Sequence, residues 1–275
     1  MNRLARAIDH LPPRRLRASG DVLPSPNIWY HQRSYEQENL AQDVDGDIWR
    51  VLRGTYDWTG RDVVDVGCGD GFHLMAFART ARSVVGVEPH PPLVGSARSR
   101  VAGIEGVRVL RGTAQRLPLP DASADLVHAR TAYFFGPGCE PGLQEADRVL
   151  RPGGMLSVVD LDVADEPYGR WMRADIPDYD PREVDDFFAE AGFECRRVRT
   201  WWRFSSKAAL KSVLRIEFSA AVAERALAEV LVTLPRGESA VKFPVGYRVL
   251  SREKPSGVIR PHVRAAGSLV IPEDS

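Results

Sequence analysis

Asp65, Gly67, Gly69, Gly71 and Glu88 are the residues of this 275-residue chain whose types and spacing point to chemistry. The three glycines stand at every second position directly after Val63–Val66, an apolar run interrupted only by Asp65. Glycine there lets the backbone adopt dihedrals closed to other residues and lets a ligand approach the main chain. A helix resumes after the glycines, over 72–80, with Leu74, Met75, Phe77 and Ala78 on its apolar face. A strand, a glycine turn and a helix bring unpaired backbone N–H groups and a positive helix end to one cleft. A plain βα turn seldom needs three glycines. The expectation is a nucleotide-binding turn.

The spacing is G-x-G-x-G, which differs from the G-x-G-x-x-G of dinucleotide sites. Asp65, two residues ahead of the first glycine, would repel an anionic pyrophosphate laid over the turn. An ammonium or sulfonium group would instead be attracted to it. Residues 63–71 thus resemble the first motif of the class I S-adenosylmethionine-dependent methyltransferases. Glu88 ends the next buried strand, SVVGVE, about 20 residues on, where an acid accepts from both hydroxyls of a ribose. The run RVLRPGG, ending in Arg151–Gly154, resembles the family's turn before its fifth strand. The resemblance spans about 35–254 and is weaker between those two motifs.

The family implies an α/β fold, a Rossmann-like three-layer sandwich with a seven-stranded sheet whose last strand is antiparallel. The strands are expected at 63–66, 83–89, 107–112, 124–130, 155–162, 195–204 and 245–253. A helix capped by Asp180, opened by Pro181 and stopped by Gly192 precedes the sixth. The domain reading is a loose basic arm over 1–27, one methyltransferase domain over 28–254 with a helical lid at about 206–232, and a tail over 255–275. Another helix is expected over 43–54. Ahead of it Trp29, Tyr30 and Tyr35 gather around His31. These rings either close over the cofactor, as in the family, or seal the core.

The resemblance implies S-adenosyl-L-methionine as cofactor. The residues expected to bind it are Asp65, Gly67, Cys68, Gly69, Glu88, Pro89, Ala114, Gln115, Arg130 and Tyr35. In the family the segment after the third strand reads G-D-A-E-x-L-P and lines the adenine, whereas Thr113 and Gln115 here replace the two acids. Backbone N–H groups near Ala114 and Gln115 still reach a ring nitrogen, while the side-chain contact to the adenine amino group depends on Thr113 or Gln115 accepting it.

Composition narrows the partners. Zero formal net charge argues against a polyanion as main partner. Cys68, Cys139 and Cys195 share neither metal nor disulfide spacing, and no metal is expected. No apolar run reaches membrane-span length, and the arginine-rich start lacks the apolar core of a secretory signal. A cytoplasmic monomer or homodimer follows as the expectation. Arginine far outnumbers lysine, a hint of a GC-rich bacterial source.

Methyl transfer is a direct displacement; an amine acceptor needs little beyond positioning, while a hydroxyl or carbon acid needs a base. His128, Tyr133, Asp160 and Asp162 lie near strand ends, with His73 and His31 less well placed, and no motif fixes any of them as catalytic. His128 reads as a core histidine or a base, and Tyr133 as a pocket wall or an acid–base group. The position after 124–127 reads His128-Ala-Arg-Thr, without the signature of amino-methylating nucleic-acid enzymes. A segment at 165–180 with Tyr168, Trp171 and Met172, together with the insertion, resembles the lids of small-molecule methyltransferases of the quinone-biosynthesis type. The leading expectation is methyl transfer to a small molecule of secondary or cofactor metabolism. The alternatives are a cofactor-binding protein that does not methylate and an enzyme acting on RNA or protein through the basic arm.

Overall fold

Residue 22 and residues 25–235 and 239–256 are described by the structure, a computed structural model. The glycine turn is fixed from both sides by a parallel sheet. Strand β1 (Asp62–Val66) pairs with β2 (Ser83–Glu88) on one side and β4 (Ala124–Arg130) on the other. β3 (Val107–Arg111) continues beyond β2, and β5 (Leu150–Leu161) lies beyond β4. These strands are rich in Val and Leu, and helices cover them on both faces, as a parallel sheet requires. β7 (Val241–Glu253) runs antiparallel between β5 and β6 (Glu194–Phe204), giving the order β3-β2-β1-β4-β5-β7-β6. The seven-stranded α/β sheet with its antiparallel strand is the expected one.

The reversal from β3 to β4 across β1 creates the crevice where ligands of open α/β sheets bind. Below it, Arg151 of the R-P-G-G turn binds Asp62 at 2.9 Å and Asp125 at 2.9 Å. That turn therefore locks the starts of β1, β4 and β5 together. It also extends β5 to Leu150, since Lys254 N–H donates to the Gly154 carbonyl at 2.8 Å.

Several elements differ from expectation. Helix α1 (Pro26–Tyr30) buries Pro26 and Asn27, which the basic-arm reading had placed outside the domain. Helix α2 (Gln32–Ala41) follows where only an aromatic cluster was expected. α3 (Asp47–Thr55) starts later than residue 43 because Asp43 stands before it, its carboxylate accepting from Ile48 N–H at 3.0 Å and Trp49 N–H at 3.3 Å. The helix after the glycine turn, α4, is only Leu74–Ala78. α5 (Pro91–Arg100) and α6 (Glu140–Val149) flank the sheet, and α7 (Tyr168–Asp175) follows β5. α8 (Pro181–Glu190) begins as expected, with Asp180 accepting from Arg182 N–H at 2.8 Å. The insertion is two helices, α9 (Lys207–Glu217) and α10 (Ala220–Val232), capped by Ser206 and Ser219. Most of the basic arm and nearly all of the tail lie outside the described residues.

Candidate active site: the glycine turn and the chamber beside it

The turn after β1 needs its glycines. Gly67, Gly69 and Gly71 have φ of 71°, 58° and 86°, the left-handed region that other residues enter at a cost. A Cβ on Gly67 would lie 2.5 Å from the Ala132 Cβ, and one on Gly69 would lie 2.7 Å from Ile28 Cδ1. The loop after β4 and helix α1 therefore both press on this turn.

The N–H groups of Gly67, Cys68, Gly69, Gly71 and Phe72 are engaged, contrary to expectation. Gly67 and Cys68 both donate to the Val87 carbonyl, at 2.8 and 3.1 Å, and Gly71 donates to Cys68. Gly69 N–H donates to Glu88 Oε2 at 3.1 Å, and Phe72 N–H to Asp70 Oδ1 at 3.2 Å. A phosphate nest needs open donors, whereas these are committed to β2 and to two acids. Such a turn suits a cationic group better than an anionic one.

Glu88 is buried at the end of β2, where it also accepts from His90 N–H at 2.9 Å. Burial pushes its carboxyl up, against the pull of those two N–H donors and with a further push from Asp65. A carboxylate has about four acceptor positions, so capacity for a ribose remains on Glu88. Pro89 continues from it half-buried. The His90 ring stacks on Trp29 of α1, centroids 3.9 Å apart. Ala114 is buried and Gln115 half-buried beyond β3. Cys68 is buried against Gly86, its thiol raised first by burial and then by Asp65 and Glu88.

Asp65 does not stand open to the crevice. Its Oδ1 lies 2.7 Å from His128 Nδ1, and both side chains are buried. The other expected acids are likewise tied. Asp160 binds the buried Arg248 at 2.9 Å, and Asp162 binds Arg197 at 3.0 Å. Tyr133 packs on Phe134 and against Gly142, with its phenol pushed up to about 12 by burial. Burial, and then Arg130, holds the His73 imidazole well below the usual histidine range. Trp171 packs in the core against Phe218 and Phe243 instead of lining the cleft.

Where β4 ends, Thr131 and Tyr133 both have positive φ, 44° and 57°. A β-branched residue there is strained, and such strain collects at functional sites. Beyond them lies a cluster of buried polar side chains, the polar chamber, that no local sequence pattern marks as a whole. Burial, and then the nearby Glu38 and Glu217, push the Tyr35 phenol up, and Thr131 beside it pulls the other way. Arg130 donates to Gln42 at 3.0 Å and lies over the Tyr247 ring at 5.5 Å. Tyr247 accepts from Trp202 Nε1 at 2.9 Å. The signal was present in part: Tyr35 and Glu38 fall at helical spacing on one face of α2, and Gln42 follows four residues on as its C-cap. Glu217, Tyr168 and Tyr247 come from distant elements, and no local pattern joins them.

Residues 64–158 match the family model described as a methyltransferase domain. The chain carries a class I S-adenosylmethionine-dependent methyltransferase domain. Among its relatives, an uncharacterized methyltransferase, YcgJ, of Bacillus subtilis is 33% identical over 107 residues, covering 38% of this chain and 42% of that protein. An uncharacterized methyltransferase of Mycobacteroides abscessus is 35% identical over 135 residues, covering 47% and 51%. The chain thus spans about half the length of these relatives. Among solved structures, YcgJ of Bacillus superposes with a TM-score of 0.54 at 21% identity, covering 76% of this chain and 98% of that one. The [4+2]-cyclase SpnF superposes at 0.51 with 21% identity, covering 78% and 84%. Both share the fold. S-adenosylmethionine is the cofactor that this domain family implies.

Proposed function

We propose that the chain transfers the methyl group of S-adenosylmethionine to a small molecule through an oxygen, nitrogen or carbon nucleophile. The observation that carries this reading is the cover that four helices lay over the polar cluster beyond β4. Asn27, Glu38, Tyr168 and Glu217 line it from α1, α2, α7 and α9, each less than a tenth exposed. An acceptor reaching the strand ends must fit beneath these helices, which suits a small molecule better than a polymer.

In this reading Asp65, Gly67, Cys68 and Gly69 hold the amino-acid end of the cofactor, Glu88 and Pro89 the ribose, and Ala114 and Gln115 the adenine. Arg130 and Tyr35 stand at the boundary with the acceptor chamber. Helix α1 covers the site through Ile28 on Gly69 and Trp29 on His90, excluding water from it. The bound cofactor supplies an activated methyl group; the protein supplies position and a dry enclosure. Helices α9 and α10 act as the lid of a domain over 28–254, with expected placement in the cytoplasm and a role in secondary metabolism.

A second reading, binding without methylation, is favoured by the engagement of Asp160, Asp162 and His128 in internal pairs. Incubation with radiolabelled cofactor and extracts of host small molecules separates the two. Label in a small organic product supports transfer. Tight cofactor binding by calorimetry with no labelled product from any extract supports the second reading, and label in RNA or protein refutes the small-molecule assignment.

A further inference from the structure

Two carboxyl groups face each other inside the chamber. Glu38 of α2 is 5% exposed, and Glu217, the last residue of α9, is 4% exposed. Asn27 Nδ2 donates to Glu217 Oε1, and the Tyr168 hydroxyl donates to Glu217 Oε2 at 3.0 Å. Gln42 Nε2 donates to Glu38 Oε1 at 2.7 Å. Glu38 Oε2 is buried without a hydrogen-bond partner among the described residues, and burial together with the neighbouring Glu217 raises the Glu38 carboxyl well above its ordinary range. An ionised carboxylate only accepts, so a hydrogen bond between the two requires a proton on one of them. Like charges packed together out of water do not readily both ionise. One proton between them satisfies Glu38 Oε2 and leaves the pair a single negative charge.

The other titratable or charged groups facing the pair are Arg130 from β4, Tyr35 from α2, Tyr168 from α7 and Tyr247 from β7. Arg130 Nε and Asn27 Oδ1 are buried without a hydrogen-bond partner among the described residues, on side chains 7% and 8% exposed. The chamber thus holds unused polar capacity on both an acceptor and a donor.

Its position relative to the glycine turn is fixed twice. Asn27 reaches Glu217 while the next residue, Ile28, rests on Gly69, and consecutive Cα atoms are about 3.8 Å apart. Tyr35, one turn before Glu38 on α2, neighbours Thr131, whose own neighbour Ala132 rests on Gly67. The acid pair is therefore tied to the turn through α1 and through the loop after β4.

We propose that Glu38 and Glu217 are a proton-sharing acid pair that serves as counter-charge to the sulfonium of S-adenosylmethionine and surrenders the shared proton when that charge arrives. The proposal rests on the methyl-transfer reading of this site and assigns to it a residue pair that distinguishes charged donor from neutral product. A positive charge placed beside two buried carboxyls favours their ionised form. The proton passes to solvent, the pair goes from one negative charge to two, and a proton returns once the positive charge is gone. S-adenosylhomocysteine, which lacks that charge, leaves the pair protonated and is held less well.

Calorimetry of the full chain with S-adenosylmethionine and with S-adenosylhomocysteine, in two buffers of different ionisation enthalpy near neutral pH, counts the protons exchanged. The parent protein is expected to release up to about one more proton with the sulfonium ligand than with the thioether. Glu38→Gln and Glu217→Gln should each erase that difference and weaken S-adenosylmethionine by about tenfold or more, with S-adenosylhomocysteine affinity changed by less than about threefold. Equal proton counts for the two ligands in the parent overturn the proposal while leaving the methyltransferase reading intact, and need no variant that might misfold. Equal weakening of both ligands in both variants also overturns it. Binding of neither ligand by the parent overturns the proposal and the underlying reading together.

Discussion

Asp65 Oδ1 lies 2.7 Å from His128 Nδ1, side by side on neighbouring parallel strands whose register pairs these two residues. Neither side chain reaches solvent. The acid that the sequence places ahead of the glycine turn is therefore also a partner of the sheet. With Nδ1 donating, His128 satisfies one oxygen of Asp65, and the carboxylate orients the ring. Asp65→Ala leaves that N–H unpaired in the core and should cost about 1–3 kcal/mol of stability. Asp65→Asn keeps an acceptor and should cost less. Urea unfolding of the two variants checks the order, and calorimetry with S-adenosylmethionine checks that the Asn variant binds more weakly than the parent.

Glu88 carries a second prediction. Glu88→Ala removes the expected ribose acceptor and also the partner of Gly69 N–H and His90 N–H. Affinity for S-adenosylhomocysteine should fall by about 1.5–3 kcal/mol, the range for hydrogen bonds to a charged group. Affinity equal to the parent's, measured by calorimetry, would place the ribose elsewhere.

Gly67 and Gly60 share a left-handed backbone, with φ of 71° and 69°, but not a neighbourhood. A Cβ on Gly60 meets nothing within 4 Å, whereas on Gly67 it meets Ala132 at 2.5 Å. Gly60→Ala should therefore cost about 1–2 kcal/mol from backbone alone. Gly67→Ala should cost more and should also displace the loop after β4, weakening cofactor binding. Thermal melts with and without S-adenosylhomocysteine separate the two effects.

Arg248 is 1% exposed and reaches Asp160 at 2.9 Å, Asp185 at 2.8 Å and the Tyr179 hydroxyl at 3.2 Å. Replacement by methionine fills the volume and leaves Asp160 buried without its cation, which should cost about 3–5 kcal/mol. Adding Asp160→Asn should recover part of that loss in chemical denaturation.

The acid pair sets a pH dependence for the ligand-free protein. Burial raises the carboxyls of both Glu38 and Glu217 above the ordinary range. The folded state thus binds more protons than the unfolded one once pH passes the unfolded carboxyl value of about 4.3. This contribution to stability is fully present below that value and is lost as pH rises through the folded one. Glu38→Gln should flatten that slope, so its melting temperature relative to the parent should be higher at alkaline than at mildly acidic pH. A difference independent of pH would mean the pair is ordinarily ionised.

The sequence revealed the frame far better than the chamber. β4 was readable to its ends because ADLVHAR sets Leu126, Val127 and Ala129 in a short stretch that must be covered on both faces, and α8 because Asp180 and Pro181 fix its first turn. The glycine turn was readable because positive φ leaves a compositional mark. Its donors were misjudged, since nothing local shows that Val87 and Glu88 take them. Glu38 and Glu217 are separated by most of the chain, and each alone looks like a helix-surface acid. Only the packing of α2 against α9 turns both inward.

Strands β6 and β7 are antiparallel neighbours, and α9 and α10 are the chain between them. A connection of that kind can lengthen, shorten or be rebuilt without altering any parallel crossover of β1 to β5. The wall that contributes Glu217 is thus carried on a hairpin, apart from the frame that carries Gly67 and Glu88. A change in the length or sequence of this connection therefore reaches the environment of Glu38 across the α2–α9 contact without passing through the turn at Gly67 or the end of β2 at Glu88.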